Sequence, residues 1–191
     1  MNEAFKQRLN KIIPRLLSKD FLEGSGLGAE IGFYIFDYPP ELELIVNDHL
    51  EFVKNDIAKR KPDLILEHIN LFKFLVDYLK QNKLLNPAID MQKKKGDSAL
   101  LNALKGPLNH EKLAGVFVKT VTAKNPHVIL VSGVGSAYPL LRSHALLNNL
   151  HHLLEKTPLV LFYPGVYDGQ GLKLFSRLPE TNYYRAFKLV P

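Results

Sequence analysis

The stretch His127-Val-Ile-Leu-Val-Ser-Gly-Val-Gly-Ser136 decides the fold class of this chain of 191 residues. Its first five residues are almost entirely apolar, and two glycines follow within a short loop. A continuous apolar run that ends in a turn is typical of a strand covered on both faces, as in a parallel sheet. Similar runs recur along the chain and predict further strands over residues 31–37, 64–70, 158–163 and 183–190.

The segments between these runs have the periodicity of amphipathic helices. The opening segment places its apolar residues on one stripe, which predicts a helix that docks on the core. Further helices are predicted between Pro40 and Lys61 and over 71–85, 99–104 and 140–156, and Asn109 is a good N-cap for a helix to about residue 123. Residues 93–96 and 165–171 are interpreted as an exposed connection and a loop. The stripe of the opening segment consists of Phe5, Leu9, Ile12, Ile13, Leu16 and Leu17.

Strands that alternate with helices predict an α/β fold with a mostly parallel sheet of about five strands flanked by helices. Such a fold is Rossmann-like or resembles a degenerate P-loop NTPase, here with an N-terminal helical extension. We expect one α/β domain over 1–191, in which 1–30 form the N-terminal helix and a glycine-rich loop. Ligands of such sheets bind beyond the carboxyl ends of the strands, so the loops after Phe36, Val131 and Phe162 are the informative ones.

The composition excludes several classes of protein. The chain has no cysteine, which rules out disulfides, thiolate metal sites and a cysteine nucleophile. No apolar run approaches the roughly 20 residues that span a bilayer, and the N-terminus lacks the core of a signal peptide. The sequence therefore predicts a soluble, cytoplasmic protein that does not bind membranes.

The positive charge of the chain is confined to its C-terminal half. Residues 1–100 hold 15 basic and 15 acidic side chains, whereas residues 101–191 hold 10 and 4, which accounts for the whole net charge of +6. A positively charged C-terminal half permits an anionic partner, which could be nucleic acid, a nucleotide or an acidic protein face. The alternative is a mildly basic surface that is merely solvated.

No sequence motif establishes catalysis. The loop 132–136 resembles a phosphate cradle, but Tyr138 replaces the third glycine of the dinucleotide motif, and no P-loop consensus is present. Ser136, His144 and Asp168 are a poor candidate for a triad because no nucleophile elbow surrounds the serine. The helix with His144, His151 and His152 lacks a metal-binding consensus. We therefore predict no catalytic residue, metal or cofactor, and keep as a weak anion-site candidate Ser132, Gly133, Gly135 and Ser136.

A second set of residues has the composition of a binding surface. Arginine and tyrosine are interleaved with other polar residues in the C-terminal half, which is typical of interfaces and also suits an anion site. Two further candidates stand at the end of the first predicted strand and could line the same crevice. The predicted binding residues are Asp37, Tyr38, Tyr138, Arg142, His144, Asn148, Tyr167, Asp168 and Arg185.

Four blocks, residues 26–40, 133–150, 158–175 and 182–191, jointly resemble the BrxB family of bacteriophage exclusion (BREX) systems. They include Gly133-Val-Gly-Ser-Ala-Tyr-Pro-Leu-Leu-Arg142 and Asn182-Tyr-Tyr-Arg-Ala-Phe-Lys-Leu-Val-Pro191. The resemblance covers essentially the whole chain, and the length of the chain also matches that family. It implies a small component of a bacterial defence system that contains a DNA adenine methyltransferase, a large ATPase and an alkaline-phosphatase-like protein called PglZ. It implies no catalytic residue.

Three hypotheses follow for the function. The first is a non-catalytic adaptor that docks the PglZ-like protein, with the methyltransferase or the ATPase as further partners, and supports host DNA methylation and phage exclusion. The second is a nucleic-acid-binding module of the same system, suggested by the charge of residues 101–191. The third is a degenerate nucleotide-binding domain built on the loop 132–136.

Overall fold

A sheet of five parallel strands forms the centre of the protein. The structure is a computed structural model that describes residues 2–23, 32–150, 154, 157–180 and 186–191. The strand order is β2-β3-β4-β1-β7, and β5 and β6 continue from β4 as an antiparallel extension. The α/β class, the parallel sheet and the flanking helices predicted from the sequence are confirmed. The strands span β1 Phe33–Tyr38, β2 Leu66–Asn70, β3 Val128–Ser132, β4 Leu159–Tyr167, β5 Leu172–Leu174, β6 Leu178–Glu180 and β7 Phe187–Lys188.

The order of the strands differs from the Rossmann order. In that order strand 1 lies between strands 2 and 4, whereas here β1 lies between β4 and β7. The pairing of β1 with β4 places Phe33 opposite Leu159 and Phe36 opposite Phe162. The first and fourth apolar runs of the sequence therefore form the centre of the sheet.

Helices cover both faces of the sheet, which explains why β3 and most of β1 and β4 are apolar. Alternate side chains of β1 point to opposite faces: Tyr34 and Phe36 pack with the N-terminal helices, and Phe33 and Ile35 pack with the later ones. The first face holds α1 Glu3–Asn10, α2 Ile12–Leu16, α3 Lys19–Leu22 and α4 Glu43–Arg60. The second holds α5 Leu71–Gln81, α6 Leu85–Leu104, α7 His110–Thr122, α8 Val134–Ala137 and α9 Ser143–Leu150.

The N-terminal stripe docks on the core as the sequence predicts. Asn2 caps α1 by accepting a hydrogen bond from the backbone N–H of Phe5 at 2.8 Å. The helix breaks at Lys11 and continues as α2. All members of the stripe are buried except Leu17, which is half-buried against the same cluster. Burial of this stripe is the main driving force for docking, because apolar area removed from water dominates folding.

Three sequence predictions need correction. Residues 93–96 are exposed as predicted, but they belong to α6, which is interrupted only at Gly96 with φ 77°, rather than to a connection between helices. The three lysines before that glycine are exposed to solvent, so this part of the helix has no apolar periodicity from which it could be predicted. The helix predicted over 140–156 begins only at Ser143, and its described part ends at Leu150. The loop predicted from 165 is instead strand up to Tyr167, paired antiparallel with β5.

The fifth predicted strand falls partly outside the described residues. Residues 183–185 are not described, and β7 pairs with β1 only over Phe187 and Lys188. The two longest helices, α4 and α6, carry charged residues along their length. Of the helices that the structure describes, none is both long and apolar enough to cross a membrane.

We expect Gly165→Ala to destabilise the protein by about 3 kcal/mol. A Cβ at Gly165 would lie 2.1 Å from the carbonyl oxygen of Lys173 on the paired strand, so the backbone of the hairpin must move. Gly115 of α7 is the matched control, because nothing lies within 4 Å of its Cβ position. Gly115→Ala should stabilise by about 0.5–1 kcal/mol through helix propensity. Urea unfolding of both variants measures the difference; equal midpoints would contradict it.

Candidate functional site at the carboxyl edge of the sheet

The carboxyl ends of β1, β3 and β4 meet at one edge of the sheet, where ligands of α/β proteins usually bind. Asp37 and Tyr38 stand at the end of β1, and Ser132 at the end of β3. Tyr167 ends β4, which runs past the other strands into the β5 hairpin. The structure thus brings several sequence-predicted residues to the same edge, and their contacts decide what the edge can do.

Asp37 is buried, and both of its carboxylate oxygens have partners within the chain. Its Oδ1 accepts a hydrogen bond from Arg8 Nη2 at 2.8 Å, and its Oδ2 accepts one from the backbone N–H of Tyr167 at 3.1 Å. Lys188 Nζ lies 3.8 Å from Oδ2. The carboxylate therefore joins the N-terminal helix, the β4 hairpin and β7, rather than facing an open crevice.

The guanidinium of Arg8 completes this arrangement. It also donates to the carbonyl oxygens of Asp37, at 3.1 Å, and Val190, at 3.3 Å. Its carbon lies 4.9 Å from the centroid of the Phe36 ring, a cation–π distance. Arg8 lies near the N-terminus and Val190 near the C-terminus, so one side chain links the two ends of the chain to β1.

The connection from β1 to α4 cannot cradle a phosphate as a glycine-rich loop does. It passes through Pro39 and Pro40, which have no backbone N–H to donate. Tyr38 is buried and donates its hydroxyl to Glu43 Oε2 at 2.5 Å. Burial, together with the charge of Glu43, raises the pKa of Tyr38 far above its usual range. Tyr38 is thus a protonated hydrogen-bond donor that fixes the start of α4.

Close packing accounts for the two glycines after β3. Gly133 has a φ of 72°, and a Cβ there would lie 2.5 Å from Oδ1 of Asn70. A Cβ at Gly135 would lie 2.9 Å from the ring of Phe175. The helix that follows, α8, has only four residues. The anion-binding interpretation of Ser132, Gly133, Gly135 and Ser136 stays a prediction, and the described contacts explain the glycines without it.

A line of three polar groups, of which only Ser132 is among the sequence-based candidates, runs from the end of β3 to an exposed carboxylate on α4. Ser132 is fully buried, and its Oγ lies 2.8 Å from Nε2 of His68. Nδ1 of His68 lies 3.7 Å from a carboxylate oxygen of Glu51 on α4. The order serine, histidine, carboxylate is that of an activated nucleophile. Here the serine is sealed from solvent, and the histidine–carboxylate distance exceeds that of a hydrogen bond.

No local sequence signal could have found this line, because its members are distant along the chain. Glu51 lies on α4, His68 on β2 and Ser132 on β3. The register of β2 on β3, which places His68 opposite Leu130 and Asn70 opposite Ser132, brings them together. The line joins three elements on one face of the sheet. Its role is structural, since it satisfies a buried hydroxyl.

The hairpin after β4 uses two of the predicted binding residues for its own turn. Tyr167 is buried and donates its hydroxyl to the carbonyl of Ala186 at 2.7 Å. Asp168 is exposed, and its Oδ1 accepts from the backbone N–H groups of Gln170 and Gly171 at 2.9 and 2.7 Å. Both hydrogen bonds lower the pKa of Asp168, and the one from Gly171 has the larger effect. Asp168 is therefore an ionised turn-forming residue.

The remaining predicted residues that the structure describes take no part in the hydrogen bonds around Asp37. The ring of Tyr138 packs edge-on against Phe175, with centroids 6.2 Å apart. Arg142 is exposed and lines a separate cavity beside Lys105, and Asn148 is half-buried on α9. The side chain of His144 and all of Arg185 lie outside the described residues, so the candidate triad and the histidine set of that helix stay untested predictions. Within the described residues, no cluster of histidine and carboxylate groups is suited to a metal ion.

We expect Asp37→Ala to cost about 3 kcal/mol of stability, because it leaves the partly buried Arg8 uncompensated and the N–H of Tyr167 unpaired. Asp37→Asn keeps a hydrogen-bond acceptor and should cost less. The control is Lys124→Ala, which removes an exposed pair with Glu67 and should cost less than about 1 kcal/mol. Urea unfolding followed by circular dichroism ranks the three variants; a cost at Asp37 no larger than at Lys124 would refute the structural role.

Acid should destabilise the protein through two histidines. Burial lowers the pKa of His68 and of His49 in the folded state below the ordinary 6.5. The unfolded chain then binds more protons, so stability falls as the pH drops below about 6.5 and keeps falling until the folded-state pKa is reached. The limiting slope is about 1.4 kcal/mol per pH unit for each histidine.

Urea unfolding at pH 7.5, 6.5 and 5.5 measures this dependence. His68→Gln removes one of the two titrating groups and should reduce the loss of stability between pH 7.5 and 5.5. An unchanged pH profile in this variant would show that His68 does not contribute.

Comparison with known proteins places the chain in a family. The model of a family described as BREX protein BrxB matches residues 67–189. A BREX protein BrxB of Bacillus cereus (strain H3081.97) is 38% identical over 186 residues, which cover 96% of each chain. A BREX protein BrxB of Escherichia coli O9:H4 (strain HS) is 36% identical over 191 residues, which cover 100% of this chain and 94% of the relative. No solved structure matches the chain.

These matches confirm the resemblance noted from the four sequence blocks. Both relatives align with nearly the whole chain, including the N-terminal helices that precede the family-model match. The chain belongs to the BrxB family of BREX phage-exclusion proteins.

Proposed function

We propose that the chain is a non-catalytic adaptor of a BREX complex. The observation that supports this most strongly is that the chain's own groups fill the end of β1. Arg8, the N–H of Tyr167 and Lys188 surround the carboxylate of Asp37, and two prolines follow β1. The end of β1 therefore offers a small substrate neither a free carboxylate nor a phosphate cradle, and a family known by its place in a multi-protein system needs a binding surface.

The partner in this proposal is the PglZ-like protein, with the methyltransferase and the ATPase as further components of the complex. Membership of the family supports partners from the same system. A stable pair should bury at least about 1,000 Å2 in total. Through this pairing the adaptor would support both host DNA methylation and phage exclusion.

The first test is an affinity pull-down of the tagged chain from its host with the operon intact. We expect the PglZ-like protein at near-equal amounts, retained at moderate salt and co-eluting on a sizing column at micromolar concentration. Deletion of the gene should then reduce host methylation and phage exclusion together. Failure of the two purified proteins to co-elute would rule out this partner.

A nucleic-acid-binding module is the second candidate, and the uneven charge of the chain favours it. The excess of six positive charges lies entirely in residues 101–191. Binding through phosphate contacts should weaken steeply with salt, because each neutralised phosphate releases counterions. A filter-binding titration with double-stranded DNA and single-stranded RNA at 50 and 200 mM salt tests it; no binding at the lower salt would exclude it.

A further inference from the structure

A cavity of about 290 Å3 lies on the helical face of the sheet, and Asp37 and its partners do not line it. Its walls come from the end of α6, the turn into α7 and the loop that precedes α9. The floor is aliphatic, and three nitrogen-bearing side chains stand around it. The floor consists of Leu101, Leu104, Leu108, Pro139 and Leu140, and the other lining residues are Lys105, His110 and Arg142.

The charge around this cavity is of one sign. Lys105 and Arg142 are both exposed, and within the described part of the chain neither forms an ion pair. Among the described residues that line the cavity there is no carboxylate; Glu111, next to His110 in sequence, is not among them. Two unneutralised cations over an apolar floor favour a ligand that carries an anion.

Backbone hydrogen bonds hold in place the segments that carry Lys105 and Arg142. Leu108 and Leu104 are buried, and the N–H of Leu108 donates to the carbonyl of Leu104 at 2.8 Å. On the other side, buried Leu141 donates to the carbonyl of Ala137 at 3.0 Å and thereby anchors the residue before Arg142. A rigid site loses little conformational entropy on binding.

The lining also restricts the chemistry of the apolar part of the ligand. Among the described residues that line the cavity, His110 supplies the one aromatic ring, so they offer no extended aromatic platform on which nucleobases could stack. Its volume is at the lower end of the roughly 300–1,000 Å3 typical of small-molecule pockets. The site therefore suits one or two aliphatic side chains with an acidic neighbour.

We propose that this cavity binds an acidic, aliphatic segment of a partner protein. Arg142 would hold a carboxylate through its planar guanidinium and Lys105 a second one, while a leucine-like side chain enters the floor. The inference rests on the proposed adaptor function and specifies its docking surface. It assigns a role to Arg142 and adds Lys105, 37 positions earlier in the sequence.

Charge reversal at both cations tests the proposal. Lys105→Glu with Arg142→Glu should weaken capture of the partner recovered in the pull-down by roughly tenfold or more, because like charges replace complementary ones. The control is Lys94→Glu with Lys119→Glu, which changes the net charge equally at two exposed lysines outside the cavity. This control should retain the partner. Thermal unfolding of both double variants verifies that they fold.

Overlapping 15-residue peptides that cover the recovered partner, probed with the purified chain, identify the bound segment. We expect acidic peptides with leucine, isoleucine or valine, bound more weakly at high salt and lost with the Lys105/Arg142 variant. Equal capture of the partner by both double variants would overturn the docking surface while leaving the adaptor function intact. If the wild-type chain captured no partner in the pull-down, the adaptor function itself would be refuted. If the Lys105/Arg142 variant lost bound DNA or RNA but still captured the protein partner, the two cations would be assigned to nucleic-acid binding instead.

Discussion

The contact between Arg8 and Asp37 is the interaction on which the rest of the molecule depends. A carboxylate that is only 8% exposed is costly unless charge and hydrogen bonds compensate for its lost hydration. Here Arg8, Lys188 and the N–H of Tyr167 supply that compensation. The same contact fixes the first helix and the last strand against the centre of the sheet, so burial of one carboxylate organises elements from both ends of the chain.

This constraint also shapes function. In an open α/β sheet the carboxyl edge is the usual place for a ligand because helix N-termini and loops converge there. In this chain two prolines remove backbone donors after β1, Tyr38 donates to Glu43 at the start of α4, and Asn70 and Phe175 occupy the space beside the glycines after β3. The cavity lined by Lys105 and Arg142 lies between the end of α6 and the loop before α9, and the prolines after β1, Tyr38, Asn70 and Phe175 do not line it.

Polar side chains elsewhere in the fold also join helices and strands to one another. Among the described residues, Ser132 is the other buried polar residue of the sheet. Its hydroxyl has a hydrogen-bond partner in His68, and His68 in turn faces Glu51. Burial keeps His68 neutral near pH 7, since its pKa is lowered, so it can bridge a hydroxyl and a carboxylate without bringing a second buried charge. The line from Ser132 through His68 to Glu51 lies on the face covered by α1–α4, because Ser132 alternates along β3 in step with Val128 and Leu130. The face covered by α5–α9 is sealed mainly by aliphatic packing.

The sequence alone determined the local features of this protein. Apolar runs located β1 to β4, the periodic stripe of the first helix predicted its buried face, and Asn109 marked the start of α7, because these signals depend on neighbours within a few residues. Family membership also followed from contiguous blocks of sequence. Lysine-rich α6 and the glycine-rich end of β4 were misread, since solvation and a close backbone approach leave no apolar period.

Only the tertiary structure decided which distant groups meet. Docking of α1 placed Arg8 beside Asp37, strand register placed Ser132 beside His68, and the packing of α6 against the loop before α9 placed Lys105 and Arg142 around one cavity. A charged side chain carries no local information about its partner, because that partner is set by the crossover connections between elements. The chemistry of the candidate site could therefore be proposed from the sequence as a set of residue types, but not as a geometry.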